Sequence, residues 1–192
     1  MNLIIDNIWG IHCFIQSLEA GMNQSSYFLK RDFGNYLILP LTKESSEQNE
    51  LITAKGGISH QLVSKPAAAT DAQVKAFEKF GAPLVDLSFK EGLFDPRIRL
   101  INSQDEFYDP DVTNLSLDLG KAVLIRAKKV SYLFFDDSFV LDRGVIRKRE
   151  TFEEVERPFL KSAHIPWNYP QIIGFFHFHR GDNWLDLTSM VN

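Results

Sequence analysis

A helix marked at both ends anchors the reading of this chain. Thr70 with Gln73 three residues later is a capping box, Val74, Phe77 and Phe80 fall on one helical face, and Gly81 follows as a stop. Apolar runs flank it, Ile58–Ser64 before and Pro83–Leu87 after, and both read as strands. A second helix is predicted upstream, where Ser45 and Gln48 form the start signal and Gly56-Gly57 the end. The chain therefore alternates helix and strand in its first half, which excludes a helical bundle.

The remaining elements are strands. Leu3–Ile5 and Trp9–Ile15 read as short strands, and Tyr27–Lys30 and Tyr36–Leu39 as a hairpin closed through Gly34-Asn35. Residues 91–114 are rich in Asp, Pro and Asn and read as irregular. Leu115–Leu117, Ala122–Arg126, Val130–Phe135 and Phe139–Leu141 follow as strands, with Asp136-Asp137-Ser138 as a turn. Thr151 with Glu154 repeats the capping-box pattern and predicts a third helix, ended or kinked by Pro158. Gln171–His177 is predicted as the last strand. Strands, then strand–helix–strand units, then strands again predict an α/β (α+β) sandwich.

Length and composition narrow the function. With 192 residues, and neither repeats nor a long linker, residues 1–192 are expected to form a single domain. A net charge of −4 argues against a nucleic-acid partner, which requires clustered positive charge. A single Cys rules out an internal disulfide. No stretch is apolar enough to cross a membrane, and Met1–Ile15 lacks a basic start and a small-residue cleavage site. The expectation is a cytoplasmic protein with no membrane partner.

The segment Gly56–Val85, ending in Phe80-Gly81-Ala82-Pro83-Leu84-Val85, resembles the metallo-β-lactamase superfamily, as does the Tyr27–Leu39 hairpin preceded by Asn23. The resemblance implies an αββα four-layer sandwich and a metal-dependent hydrolase that attacks ester, thioester, amide or phosphodiester bonds. It also implies two zinc ions held by Thr-His-x-His-x-Asp-His, which falls here on Ser64-Lys65-Pro66-Ala67-Ala68-Ala69-Thr70. Lys65, Ala67, Ala69 and Thr70 then stand at the ligand positions. An ammonium has no lone pair, a methyl group cannot ligate, and a hydroxyl is a poor zinc ligand. Moving the register onto His60 aligns Leu62, Ser64 and Lys65 instead, with no gain in donors.

The other implied ligands are sparse too. No His occurs between 61 and 163, so the mid-chain His expected near Ala127 is missing. Asp142 is offset by a residue or two from the bridging Asp, and Leu39-Pro40-Leu41 replaces the family's Asp-x-Gly. His177 or His179 corresponds to the last His. The sequence thus predicts a member of that superfamily without its di-zinc site, acting as a non-catalytic binding or scaffold domain or a small-anion binder. The expected pocket comprises Lys65, Thr70, Asp142, His177 and His179, with no cofactor. The alternative is a hydrolase with one Zn, Fe or Mn ion on Asp142, His177 and His179.

Individual residues sharpen this. Lys65 reads either as a replacement for the metal's positive charge, paired with Asp142 or an anionic ligand, or as a side chain reaching solvent. Ser64 has no neighbouring base, and His12 and Cys13, adjacent on a strand, point to opposite faces. Asp182 is a further candidate beside His177 and His179. The basic run Arg143, Arg147, Lys148 and Arg149, followed by Glu150, Glu153, Glu154 and Glu156, reads as a solvated face at a helix start. Trp167, Tyr169 and Trp184, with Pro166 and Pro170, suit a pocket or a subunit contact, so a homodimer is one expected partnership alongside an anionic small molecule.

Overall fold

The structure is a computed structural model that describes residues 2–6, 11–17, 23–64, 68–89, 95–102, 104–117, 120–127, 130–155 and 171–191. It divides into two compact units, Met1–Glu19 with Gln24–Tyr108, and Ala20–Asn23 with Asp109–Asn192.

In the N-terminal unit the elements are β1 (Asn2–Asp6), β2 (His12–Ser17), β3 (Asn23–Leu29), β4 (Tyr36–Ile38), α1 (Ser46–Ala54), β5 (His60–Val63), α2 (Asp71–Phe80), β6 (Leu84–Asp86) and β7 (Leu100–Ile101). The seven strands form one sheet in chain order. Its first half is antiparallel, and β4 to β7 run parallel. The hairpin forms as the Gly34-Asn35 signal predicts, with Tyr27 opposite Ile38. Gly34 takes φ +115, and the Asn35 amide donates to the carbonyls of Lys55 and Gly57, tying the turn to the end of α1.

Both helices form where their caps place them. Ser45 accepts from the Gln48 N–H, and Thr70 and Gln73 complete a reciprocal capping box. The helix faces divide between two apolar clusters. Ile52 of α1 and Ala76 and Phe80 of α2 pack with Phe14, Phe28 and Leu37. Val74 and Phe77 instead cover Leu84, Ile98 and Ala69. The predicted irregular stretch 91–114 is corrected at two places, since it contains β7 and the start of the next strand.

The C-terminal unit comprises β8 (Val112–Leu117), β9 (Gly120–Arg126), β10 (Ser131–Phe135), β11 (Phe139–Asp142), β12 (Val145–Lys148), β13 (Ile172–Phe175), β14 (His177–Arg180), β15 (Trp184–Asp186) and α3 (Thr188–Val191). A five-stranded sheet runs β15-β13-β10-β9-β8, and a three-stranded sheet runs β12-β11-β14. Their shared core is aromatic: Phe135, Phe139 and Phe176 pack with Leu124, Leu133, Leu141, Ile172 and Leu187. Phe135 stacks on Phe176 with centroids 4.2 Å apart and meets Phe139 edge-on at 5.3 Å. The Asp136 turn also forms, its carboxylate accepting from the N–H groups of Lys121 and Ser138.

Two expectations fail here. The single last strand Gln171–His177 is two strands in different sheets, because the chain breaks at Phe176, whose N–H donates to the Asn183 carbonyl. The helix predicted from Thr151 and Glu154 does not start. Phe152 takes φ +58, Lys148 N–H donates to Glu153 O, and Glu154 bridges Arg147, so the segment returns along β12 instead. The Thr151 hydroxyl caps only the Glu153 N–H, within a turn. The predicted kink at Pro158 lies outside the described residues.

Among the described residues, no helix is long and apolar enough to cross a membrane.

Candidate functional site

In the N-terminal unit, the loop from β5 into α2 is where the resemblance places metal ligands. Lys65, Pro66 and Ala67 lie outside the described residues, while Ala69 and Thr70 are engaged in local hydrogen bonds. The Thr70 hydroxyl accepts from the Gln73 N–H at 3.4 Å, and the Gln73 side-chain oxygen accepts from the Thr70 N–H at 2.9 Å. Ala69 donates its N–H to Asp95 and receives the Arg97 guanidinium on its carbonyl at 2.6 Å. Arg97 also grips both Asp95 oxygens, at 3.0 and 2.8 Å, and Asp71 at 3.1 Å. The Arg97 hydrogen bonds hold the Asp95 carboxyl down at about 2.

His60, the alternative first ligand, sits on β5 between aromatic rings. Its ring meets Phe107 at 5.2 Å and Tyr36 at 5.9 Å, and Nδ1 lies 3.1 Å from the Ser59 hydroxyl. Burial, with Arg99 nearby, pushes its pKa down, which favours the neutral ring. Cys13 is fully buried on β2. Ser64 is also buried, at the exit of β5.

In the C-terminal unit, the three-stranded sheet gathers Asp142, His177 and His179. Asp142 ends β11, and the two histidines lie on the neighbouring parallel strand β14, with His177 opposite Val140. The register then slips: Leu141 pairs with Phe178 but Asp142 pairs with Arg180, leaving His179 as the extra residue of a bulge. His177 is only 4% exposed. The His179 ring packs edge-on against Phe152 at 5.2 Å.

The basic run is not a helix start but one arm of a hairpin. Arg147 Nε lies 3.5 Å from Asp142 Oδ2, Lys148 pairs with Glu153 at 3.2 Å, and Arg149 pairs with Asp137 at 3.4 Å. Arg147 also lies over the Phe152 ring, 5.1 Å from its centroid, and donates to the Phe152 carbonyl. Asp142, Arg147, Phe152 and His179 thus form one connected cluster. Sequence reasoning missed Arg147 and Phe152 as members because β12 was not recognised as a strand.

Beside this cluster lies a cavity of about 340 Å³ lined by Leu141, Arg143, Gly144, Gly181, Asp182, Trp184 and Leu185. Asp182 lines this cavity, while His177 and His179 do not. Trp167, Tyr169, Pro166 and Pro170 lie outside the described residues.

The donors among the described residues do not fit a two-metal centre. The β5–α2 loop offers no imidazole or carboxylate between Ser64 and Thr70. The Asp142 carboxylate already faces a guanidinium. Among the described residues no three His, Cys, Asp or Glu side chains converge as a metal site.

Solved structures share the architecture. No protein-family model matches the chain, and neither does any curated protein at the sequence level. TMB-1, described with the role of residues in substrate and inhibitor binding, matches at a TM-score of 0.55 and 12% identity over 99% of this chain and 95% of its own. A metallo-β-lactamase from Pontibacter korlensis matches at 0.55 and 11% identity, over 100% and 95%. DIM-1 metallo-β-lactamase, exposed to ceftazidime, matches at 0.55 and 10% identity, over 99% and 96%. Mixed sheets, few helices and these neighbours establish an α/β sandwich with the metallo-β-lactamase fold.

Proposed function

We propose that this protein is a non-catalytic binding domain that keeps the metallo-β-lactamase fold without its dinuclear metal centre. One feature of the sequence supports the reading: in the register that the resemblance implies, Lys65, Ala67, Ala69 and Thr70 take the positions of three imidazoles and a carboxylate. None of the four replaces a histidine or carboxylate as a zinc ligand at neutral pH. The hydrogen bonds of Ala69 and Thr70 favour a structural role for the loop. The fold then presents a preformed surface to a small molecule instead of activating water.

The alternative is a hydrolase with a single ion on Asp142, His177 and His179, and one observation favours it: the same three-stranded sheet carries all three residues. The Arg147 guanidinium weighs against it, because a cation beside Asp142 opposes a second positive charge there.

Metal analysis separates the two. Protein expressed with zinc, iron and manganese supplied and purified without chelator is expected to hold substoichiometric metal, to melt identically with and without chelator, and to hydrolyse no ester, thioester or phosphodiester. A stoichiometric ion with turnover, lost in Asp142→Ala and His177→Ala, would establish the alternative.

A further inference from the structure

Two turns of the C-terminal unit meet at the 340 Å³ cavity: Arg143-Gly144 between β11 and β12, and Gly181-Asp182 between β14 and β15. They are in close register. The Arg143 N–H donates to the Arg180 carbonyl at 2.8 Å, and a Cβ on Gly181 would lie 3.6 Å from the Arg143 Cα. Arg143 itself holds φ +51, a conformation uncommon for a side chain of its size. Leu141, Trp184 and Leu185 supply an apolar wall. The volume falls within the range of small-molecule sites.

The charges on this rim are the informative part. Arg147, Lys148 and Arg149, on the same hairpin, each have an anionic partner. The Arg143 guanidinium and the Asp182 carboxylate have none among the described residues, although both line the same cavity. An exposed charge by itself is a solvated surface group. Two of opposite sign on one rim over an apolar wall match a ligand that carries both charges on an apolar body.

We propose that this cavity binds a small zwitterion, a free amino acid with an apolar side chain. Its carboxylate lies on the forked Arg143 guanidinium, a geometry suited to two parallel hydrogen bonds. Its ammonium lies on Asp182, and its side chain lies against Leu141, Trp184 and Leu185. The assignment rests on the reading of the domain as a binder and names that binder's ligand class.

Titration calorimetry on the full chain tests it, with L-leucine and L-phenylalanine, their N-acetyl forms and their amides. The free amino acids are expected to bind saturably, and each blocked form at least about tenfold more weakly. Arg143→Asn keeps a residue that tolerates positive φ and removes the cation. It and Asp182→Asn are each expected to weaken the free amino acid about tenfold or more while melting as the parent does. Asp182→Asn is expected to leave the affinity for the N-acetyl form unchanged, since that form has no ammonium to lose. N-acetyl forms binding as tightly as free amino acids would replace the zwitterion with a simple anion, and amides doing so would replace it with a simple amine. No heat at about 10 mM ligand would remove the cavity as a site. Metal content and turnover measured on the same preparation judge the binder reading separately.

Discussion

Asp142 and Arg147 face each other across the β11–β12 hairpin, Oδ2 to Nε at 3.5 Å, with side chains 15% and 26% exposed. The second Asp142 oxygen, Oδ1, is buried and accepts no hydrogen bond. The carboxylate therefore depends on Arg147 for compensation. Arg147→Met is expected to lower stability by about 1–3 kcal/mol, because it leaves a largely buried anion unpaired. Asp142→Asn, which removes the charge instead, is expected to cost less. Urea denaturation of the two single variants and the double variant measures both effects and their coupling.

The start of α2 is a second point of dependence. Thr70→Ala removes the hydroxyl that accepts from Gln73 N–H, and is expected to cost about 1 kcal/mol. For a chain of this size that lowers the melting temperature by about 2–4 °C. Thr70→Ser, which keeps the acceptor, is expected to restore most of it. A Thr70→Ala variant as stable as the parent would show that the cap contributes nothing.

His60 sets a pH dependence whose sign follows from its environment. Burial, with Arg99 nearby, depresses its folded-state pKa below the ordinary value of 6.5. As pH falls below 6.5 the unfolded chain takes up the proton before the folded one does, so stability declines through that window. Above it the contribution is constant. Thermal melts from pH 7.5 to 5.5 are expected to show a steeper decline for the parent than for His60→Phe.

Gly174 marks the closest approach in the C-terminal core. A Cβ there would lie 2.5 Å from Leu187 Cδ1 and 2.9 Å from the Phe176 ring. Gly174→Ala is expected to destabilise by about 1–3 kcal/mol through overpacking, and its cost to be smaller in a Leu187→Ala background, where the clashing methyl is gone. Calorimetric melting of both single variants and the double variant provides the check.

What the sequence disclosed follows the range of the forces involved. The Gly34-Asn35 hairpin and the two capped helices rest on interactions within a few residues, and all three formed. The Thr151 and Glu154 pattern was equally local but was outcompeted, because Lys148 and Arg147 offered a ladder partner along β12. The break at Phe176 has no local signature, since Phe175-Phe176-His177 is uniformly apolar up to the histidine and the change of sheet is decided by tertiary pairing. The candidate site was legible in part. Asp142, His177 and His179 could be named as candidates, whereas the strand His177–Arg180 that carries both histidines and the Asp142–Arg147 pair could not be read without recognising β14 and β12. Gly144 between two apolar runs separated by a two-residue turn was the signal available for that hairpin.

The single-residue passage between β13 and β14 carries a mechanical consequence. Phe176 is both the one residue between β13 of one sheet and β14 of the other and a ring stacked on Phe135 in the core. The Phe176 N–H also donates to the carbonyl of Asn183, which follows Gly181 in the turn between β14 and β15. A rearrangement of the aromatic core at Phe176 would thereby be relayed through the backbone to a turn on the cavity rim.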